Sequence, residues 1–121
     1  MTPKQVEGEV VRYATGSVRS SAVEEYRYDL ISPIGLAAVA RTCAEGARKY
    51  GDHNWEKGQP VSDILNHALK HLFDFLSGDR SEDHLGHAAW NVLAAIHTCE
   101  VHPELACDLR KPGCLPPEEE V

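Results

Sequence analysis

At 121 residues, 42% hydrophobic and 26% charged, the chain can enclose one modest core but hardly two separate ones. Its net charge of -7, reinforced by Glu118, Glu119 and Glu120, disfavours attraction to a nucleic-acid backbone, so direct DNA binding is not expected. The N-terminus lacks a basic-then-apolar leader, and no apolar run approaches the roughly 20 residues that span a bilayer, so a cytoplasmic protein without a membrane anchor is expected.

Residues 1–26 read as an N-terminal arm in which 9–13 and 17–19 flank the turn 14–16 as a short hairpin. A helical domain follows over 27–102. Ser32 is a good N-cap and Pro33 a good first helical residue, so the first helix is expected over 33–50. Leu36, Val39, Ala40, Cys43 and Ala47 recur on one face of it, and Gly51 supplies the left-handed turn that ends it. Arg41, Glu45 and Lys49 are spaced by four on the other face and read as a solvated ion-pair ladder. The segment 52–60 is interrupted by Gly58 and Pro60 and forms a loop. Its Trp55, with Asn54 and Lys57 beside it, suits a flat charged ligand and equally suits a plug for the end of the bundle.

Ser62 is expected to cap a second helix over 62–76. Asp63, His67, His71 and Asp74 fall on one side of it, and Ile64, Ala68, Leu69, Leu72, Phe75 and Leu76 on the other. After the break at 77–81, a third helix over 82–100 repeats the design. His84, His87, Asn91 and Thr98 face one way, and Leu85, Ala89, Val92, Leu93, Ile96 and Cys99 the other. Trp90 lies about 140° from the centre of that apolar face and implies a second apolar surface. Val101, His102 and Pro103 end the helix, and 103–121 reads as an acidic, proline-rich tail with one short turn at its start. Cys43 and Cys99 sit on apolar faces as small buried residues. Cys107 and Cys114 are taken as reduced thiols, and no Cys-x-x-Cys pair supports a zinc knuckle.

The chemistry lies in the two polar stripes. His71 with Asp74, and His84 with His87, are three apart on a helix, so each pair can reach one ion, and helical bundles build metal sites from such pairs on neighbouring helices. Two antiparallel helices would bring the pairs together as ligands. Imidazole favours zinc, manganese, cobalt or nickel, whereas the nearby Asp63, Asp74, Asp79, Glu82 and Asp83 suit magnesium or manganese, so ligand type leaves the metal open. No Gly-rich phosphate loop, nucleophile elbow or His-Glu-x-x-His motif is present. Asp83-His84 has the reverse order of the His-Asp pair of one large class of metal phosphohydrolases.

Several runs carry a resemblance. They are Arg27-x-Asp29-Leu30-Ile31-x-Pro33, Gly46-Ala47-x-Lys49-Tyr50-Gly51-Asp52-x-Asn54-Trp55-x-Lys57-Gly58, Leu69-Lys70-His71-Leu72, and His84-Leu85-x-His87-Ala88-Ala89-x-Asn91. Over about 27–97 the chain resembles the phage-associated dATP/dGTP diphosphohydrolase family, which is similar to the MazG-type all-α nucleotide pyrophosphohydrolases. The resemblance implies a small helical bundle completed by homo-oligomerisation, in the host cytoplasm if phage-encoded. It also implies a divalent-metal-dependent cut of a purine deoxynucleoside triphosphate, dATP or dGTP, into monophosphate and pyrophosphate. On that analogy magnesium or manganese is the expected ion, with zinc, cobalt or nickel suggested by the histidines. His71, Asp74, His84 and His87 are the metal candidates, and His71 and Asn91 the catalytic ones. Arg27, Lys49 and Lys70 are candidates for phosphate and Asn54 and Trp55 for the base. Where MazG-type helices carry Glu-x-x-Glu and Glu-x-x-Asp, this chain has His71-x-x-Asp74 and His84-x-x-His87. A non-catalytic nucleotide- or metal-binding module, or a helical interaction protein with solvated histidines, are the rival readings.

Overall fold

The computed structural model describes residues 10–20 and 26–106. Cys107, Cys114, the acidic tail and residues 1–9 and 21–25 lie outside the described residues. The chain divides into two compact units, Met1–Ser32 and Pro33–Val121.

In the first unit β1 (Val10–Arg12) pairs antiparallel with β2 (Val18–Ser20), with Val11 opposite Arg19. Tyr13 N–H donates to Ser17 O and Gly16 N–H to Tyr13 O, closing the turn. A 3-10 turn, Tyr28–Leu30, follows. Beside it the Arg27 guanidinium makes two hydrogen bonds to Asp29, at 2.9 and 2.8 Å.

The described part of the second unit is helical: α1 (Pro33–Tyr50), α2 (Val61–Leu76) and α3 (His84–Val101), with 3-10 turns at Asn54–Lys57 and Pro103–Leu105. The described residues therefore form a small three-helix protein with a two-stranded hairpin. The α1 helix starts at the expected proline and stops where Gly51 adopts φ 94°. Helix α3 packs against both α2 and α1. Val61 and Ile64 of α2 meet Ala94 and Ala95 of α3, with Trp55, Leu65 and Trp90 packed against them. At the other end His71 meets His84, so the two helices run antiparallel. Small residues on α3, including Ala88, let the helices approach closely, but they bury little area.

Four expectations are corrected. Ser62 does not cap α2: the helix begins at Val61, Pro60 stands at the cap position, and its carbonyl accepts the N–H groups of Asp63 and Ile64. Ser62 is instead buried as the second helical residue. Helix α3 begins at His84, two residues late, because Asp83 is its N-cap and takes the Gly86 N–H at 3.0 Å. A side chain at Gly86 would collide with that carboxylate. Cys43 and Cys99 are exposed, as are Leu69, Leu72 and Leu76 on α2 and Val92, Leu93 and Ile96 on α3, because three short helices do not surround their own apolar stripes. Trp90 does not stand apart as a second surface: its ring is half-buried and meets Trp55 edge-on, with ring centroids 6.0 Å apart.

Candidate functional site

The turn at 77–83 determines what α2 and α3 present to each other. Arg80 closes the end of α2, donating to Phe75 O while its guanidinium lies 3.8 Å over the Phe75 ring. Asp79 accepts the Ser81 N–H at 2.8 Å. Glu82, just outside α3, turns back over the imidazoles.

Four donor atoms gather there. His71 Nδ1 lies 2.9 Å from His84 Nδ1, and Glu82 Oε1 lies 3.4 Å from His71 Nδ1, 3.6 Å from His84 Nδ1 and 3.1 Å from His87 Nδ1. The His71 and His87 ring centroids are 5.0 Å apart. Bonds of about 2.1 Å to one ion place neighbouring ligands about 3.4 Å apart in a tetrahedron, so the separations recorded at Glu82 and between His71 and His84 match a shared ion. One donor atom from each of His71, Glu82 and His87 lies within 4.8 Å of the other two.

The outer nitrogens of two rings are held by carboxylates. His84 Nε2 lies 3.0 Å from Asp79 Oδ2, and His87 Nε2 lies 3.1 Å from Glu45 Oε2. A carboxylate only accepts, so His84 Nε2 carries its hydrogen and its Nδ1 is left as an acceptor facing His71, whereas His87 meets a carboxylate at both ring nitrogens, Glu45 at Nε2 and Glu82 at Nδ1. Hydrogen bonds from the Ser81 backbone and hydroxyl, then from His84, hold Asp79 ionised with its pKa at about 2. Burial of His71, reinforced by its neighbour His87, lowers its pKa and favours the neutral ring that metal ligation needs.

Asp74 stands apart from this group. Its Oδ2 is 2.6 Å from Lys70 Nζ, a pairing that raises the Lys70 pKa. Asp74, Asp79 and His84 also lie close enough to share an ion. That alternative would use the His84 nitrogen already hydrogen-bonded to Asp79 and displace the Lys70 ammonium, so the inward Nδ1 group is the better donor set.

The imidazoles open onto a cavity of about 890 Å³, a size that suits a nucleotide-sized ligand. Glu45 and Lys49 line it from α1, His67 and His71 from α2, and His87, Trp90 and Asn91 from α3. The loop wall holds Asn54 and Trp55, and it is shaped by His53, which adopts a left-handed φ of 61° with Nδ1 2.6 Å from Glu56. Trp55 also packs on His97, with ring centroids 4.8 Å apart, and the Trp90 indole N–H is buried without a hydrogen-bond partner among the described residues. Asn91 donates its amide to His87 O at 2.8 Å.

Of the residues singled out from sequence, Lys49, Asn54, Trp55, His71, His87 and Asn91 share this cavity. His84 stands behind His71 with only 3% of its surface exposed, Lys70 and Asp74 are outside the cavity wall, and Arg27 belongs to the first unit. Sequence reasoning placed Glu82 and Asp79 only among the nearby carboxylates, gave neither a histidine partner, and read Glu45 as part of an ion-pair ladder. The first two are five positions before His87 and His84 across a non-helical turn, so no helical period marks them. Glu45 is not tied to the ladder with Arg41 and Lys49: it faces His87, and Arg41 lies 3.8 Å from Asp83.

A family model described as dATP/dGTP diphosphohydrolase, N-terminal, matches residues 15–106, from within the hairpin turn through all three helices. The chain belongs to the dATP/dGTP diphosphohydrolase family. No curated protein and no solved structure matches it. In this diphosphohydrolase-family chain, the family name points to a purine deoxynucleotide as substrate, and the grouped histidines and carboxylates could hold a metal ion. No helix among the described residues is long and apolar enough to cross a membrane.

Proposed function

We propose that the chain is a metal-dependent nucleotide pyrophosphohydrolase that converts dATP or dGTP to the monophosphate and pyrophosphate. The observation that carries this reading is that His71 and His87 belong both to the donor group they form with Glu82 and to the wall of the cavity, so an ion held there would meet whatever fills the cavity. The reaction adds water to the α-phosphorus and breaks its bond to the oxygen bridging to the β-phosphate. A divalent cation bound there would supply charge neutralisation on the triphosphate and activation of water.

The residues divide the remaining work. His71, His84, His87 and Glu82 hold the ion, and Asn91, hydrogen-bonded to the backbone of His87, steadies that turn of α3 beside the reacting phosphate. Lys49 contacts the phosphates from α1. Trp55 and Asn54 receive the purine at the loop end, where Trp90 completes the aromatic wall. Lys70 and Arg27 remain candidates for phosphate, each held in an exposed ion pair, with Asp74 and Asp29 respectively.

The protein works as a homo-oligomer in the cytoplasm. Supporting this, Leu69, Leu72, Phe73 and Leu76 on α2 and Val92 and Ile96 on α3 form exposed apolar stripes, with Leu76 at 77% and Ile96 at 69% exposure. A second copy related by a two-fold axis would cover both sets with the same surface.

The test is pyrophosphate release from the eight common nucleoside and deoxynucleoside triphosphates with magnesium, manganese, cobalt or zinc. Release confined to the purine deoxynucleotides, and dependent on metal, is the expected result. Metal-independent release, or none with any pair, defeats the reading.

A further inference from the structure

The donor set says which kind of ion the site accepts. We infer that His71, His84, His87 and Glu82 form a three-imidazole, one-carboxylate centre selective for a borderline transition metal such as zinc or cobalt over magnesium, with Glu45 and Asp79 acting as positioning residues on its imidazoles. This rests on the functional reading above for its place in the reaction, but not for its chemistry.

Magnesium demands six oxygen ligands in near-ideal octahedral order and gives up its water reluctantly, whereas imidazole suits zinc, cobalt and nickel. Here nitrogen outnumbers oxygen three to one around Glu82 Oε1, at separations of 3.1, 3.4 and 3.6 Å. Nitrogen ligands at that spacing favour four-coordination, and few oxygens remain for magnesium. The 2.9 Å between His71 Nδ1 and His84 Nδ1 fits two ligands of one small ion as well as it fits a hydrogen bond.

The outer carboxylates turn a cluster of imidazoles into a defined site. Asp79 holds His84 by Nε2, and Glu45 holds His87 by Nε2. On His84 this fixes the tautomer that leaves Nδ1 unprotonated, and on both rings a carboxylate at Nε2 orients the imidazole and raises the basicity of the opposite nitrogen, the usual task of a carboxylate behind a metal-bound histidine. His84 is buried, so its ring has no freedom to swing an Nε2 ligand toward the ion instead. Glu45 comes from α1, 42 positions away from His87, so the centre also ties that helix to α3.

The test uses full-length protein stripped with a chelator and retitrated with zinc, cobalt, manganese or magnesium alone, followed by calorimetry and by the visible spectrum of the cobalt form. One zinc or cobalt per chain, bound at least 100-fold more tightly than magnesium, with intense visible cobalt bands of a low-coordinate site, is the expected result. Glu82→Gln should abolish most of that preference, Glu45→Gln and Asp79→Asn should each weaken zinc binding by about 10- to 100-fold, and Asp74→Asn should leave it unchanged. Circular dichroism on each variant separates lost ligation from lost folding, and should Glu82→Gln not fold, the wild-type cobalt spectrum and metal ranking still decide. Magnesium binding as tightly as zinc, a weakly coloured octahedral cobalt spectrum, or an Asp74→Asn loss equal to that of Glu82→Gln overturns the inference. Because every readout is metal binding, selective zinc binding without nucleotide hydrolysis upholds the inference while defeating the catalytic reading, and magnesium-driven hydrolysis without zinc preference does the reverse.

Discussion

Glu45 Oε2 lies 3.1 Å from His87 Nε2, bringing the middle of α1 onto the first turn of α3. The opposite nitrogen of the same ring is 3.1 Å from Glu82, so His87 is clamped between carboxylates on both edges. Glu45→Ala should release one edge and lower kcat/KM for metal-dependent hydrolysis by about 10- to 100-fold. Glu45 is exposed, so the melting temperature should change little. Activity and melting temperature falling together in proportion would show that Glu45 serves the fold instead.

Gly58 is where the loop meets the end of the helical unit. Its φ is 99°, and a Cβ there would stand 2.8 Å from Leu105 Cδ1 and 3.0 Å from the His102 ring. His102 in turn donates Nε2–H to Glu56 O at 3.0 Å, and Leu105 is buried. Gly58→Ala should therefore cost about 1–3 kcal/mol through backbone strain and overpacking together, seen as a lower urea midpoint. An unchanged midpoint would mean that the segment after α3 yields freely.

The structure changes what a Trp55 substitution can report. The ring packs on the core as well as lining the cavity, so Trp55→Ala should cost about 2–4 kcal/mol and cannot by itself separate base binding from packing. Asn54 is the cleaner probe. Asn54→Ala should raise KM for dGTP several-fold while kcat holds, and a fall in kcat at unchanged KM would remove Asn54 from the base site.

Assembly should depend on the outer faces of α2 and α3. Sedimentation of the wild-type chain at micromolar concentration should show a species heavier than the 13.3 kDa monomer, and Phe73→Glu together with Ile96→Glu should shift it toward monomer. A wild-type chain that sediments only as monomer would contradict the assembly. Trp90 is not a probe for this, because it packs on Trp55 inside the chain.

Much of this arrangement can be read from residues three and four apart. The helix α1 follows from Pro33 and Gly51, and the alignment of His71 with His84 and His87 follows from two stripes facing apolar positions. What escaped lies where period has no meaning: Glu82 and Asp79 act from a turn, and Pro60 displaces Ser62 from the cap. Glu45 misled because Arg41 and Lys49 stand one turn to either side, and only the packing of α1 on α3 reveals that its carboxylate has a histidine instead. Trp90 misled because a helix between two neighbours has two inward faces, while periodicity was read for one. Leu69, Leu72 and Leu76 are apolar at the right spacing, yet spacing alone cannot say whether the covering surface belongs to the same chain.

The central claim is tested most directly by the products formed from dGTP. Metal-reconstituted protein, incubated with dGTP in water enriched in oxygen-18 and followed by phosphorus NMR and mass spectrometry, should yield equal amounts of dGMP and pyrophosphate, with the label on dGMP. Formation of dGDP and free phosphate, label on pyrophosphate, or no turnover with magnesium, manganese, cobalt or zinc would contradict it.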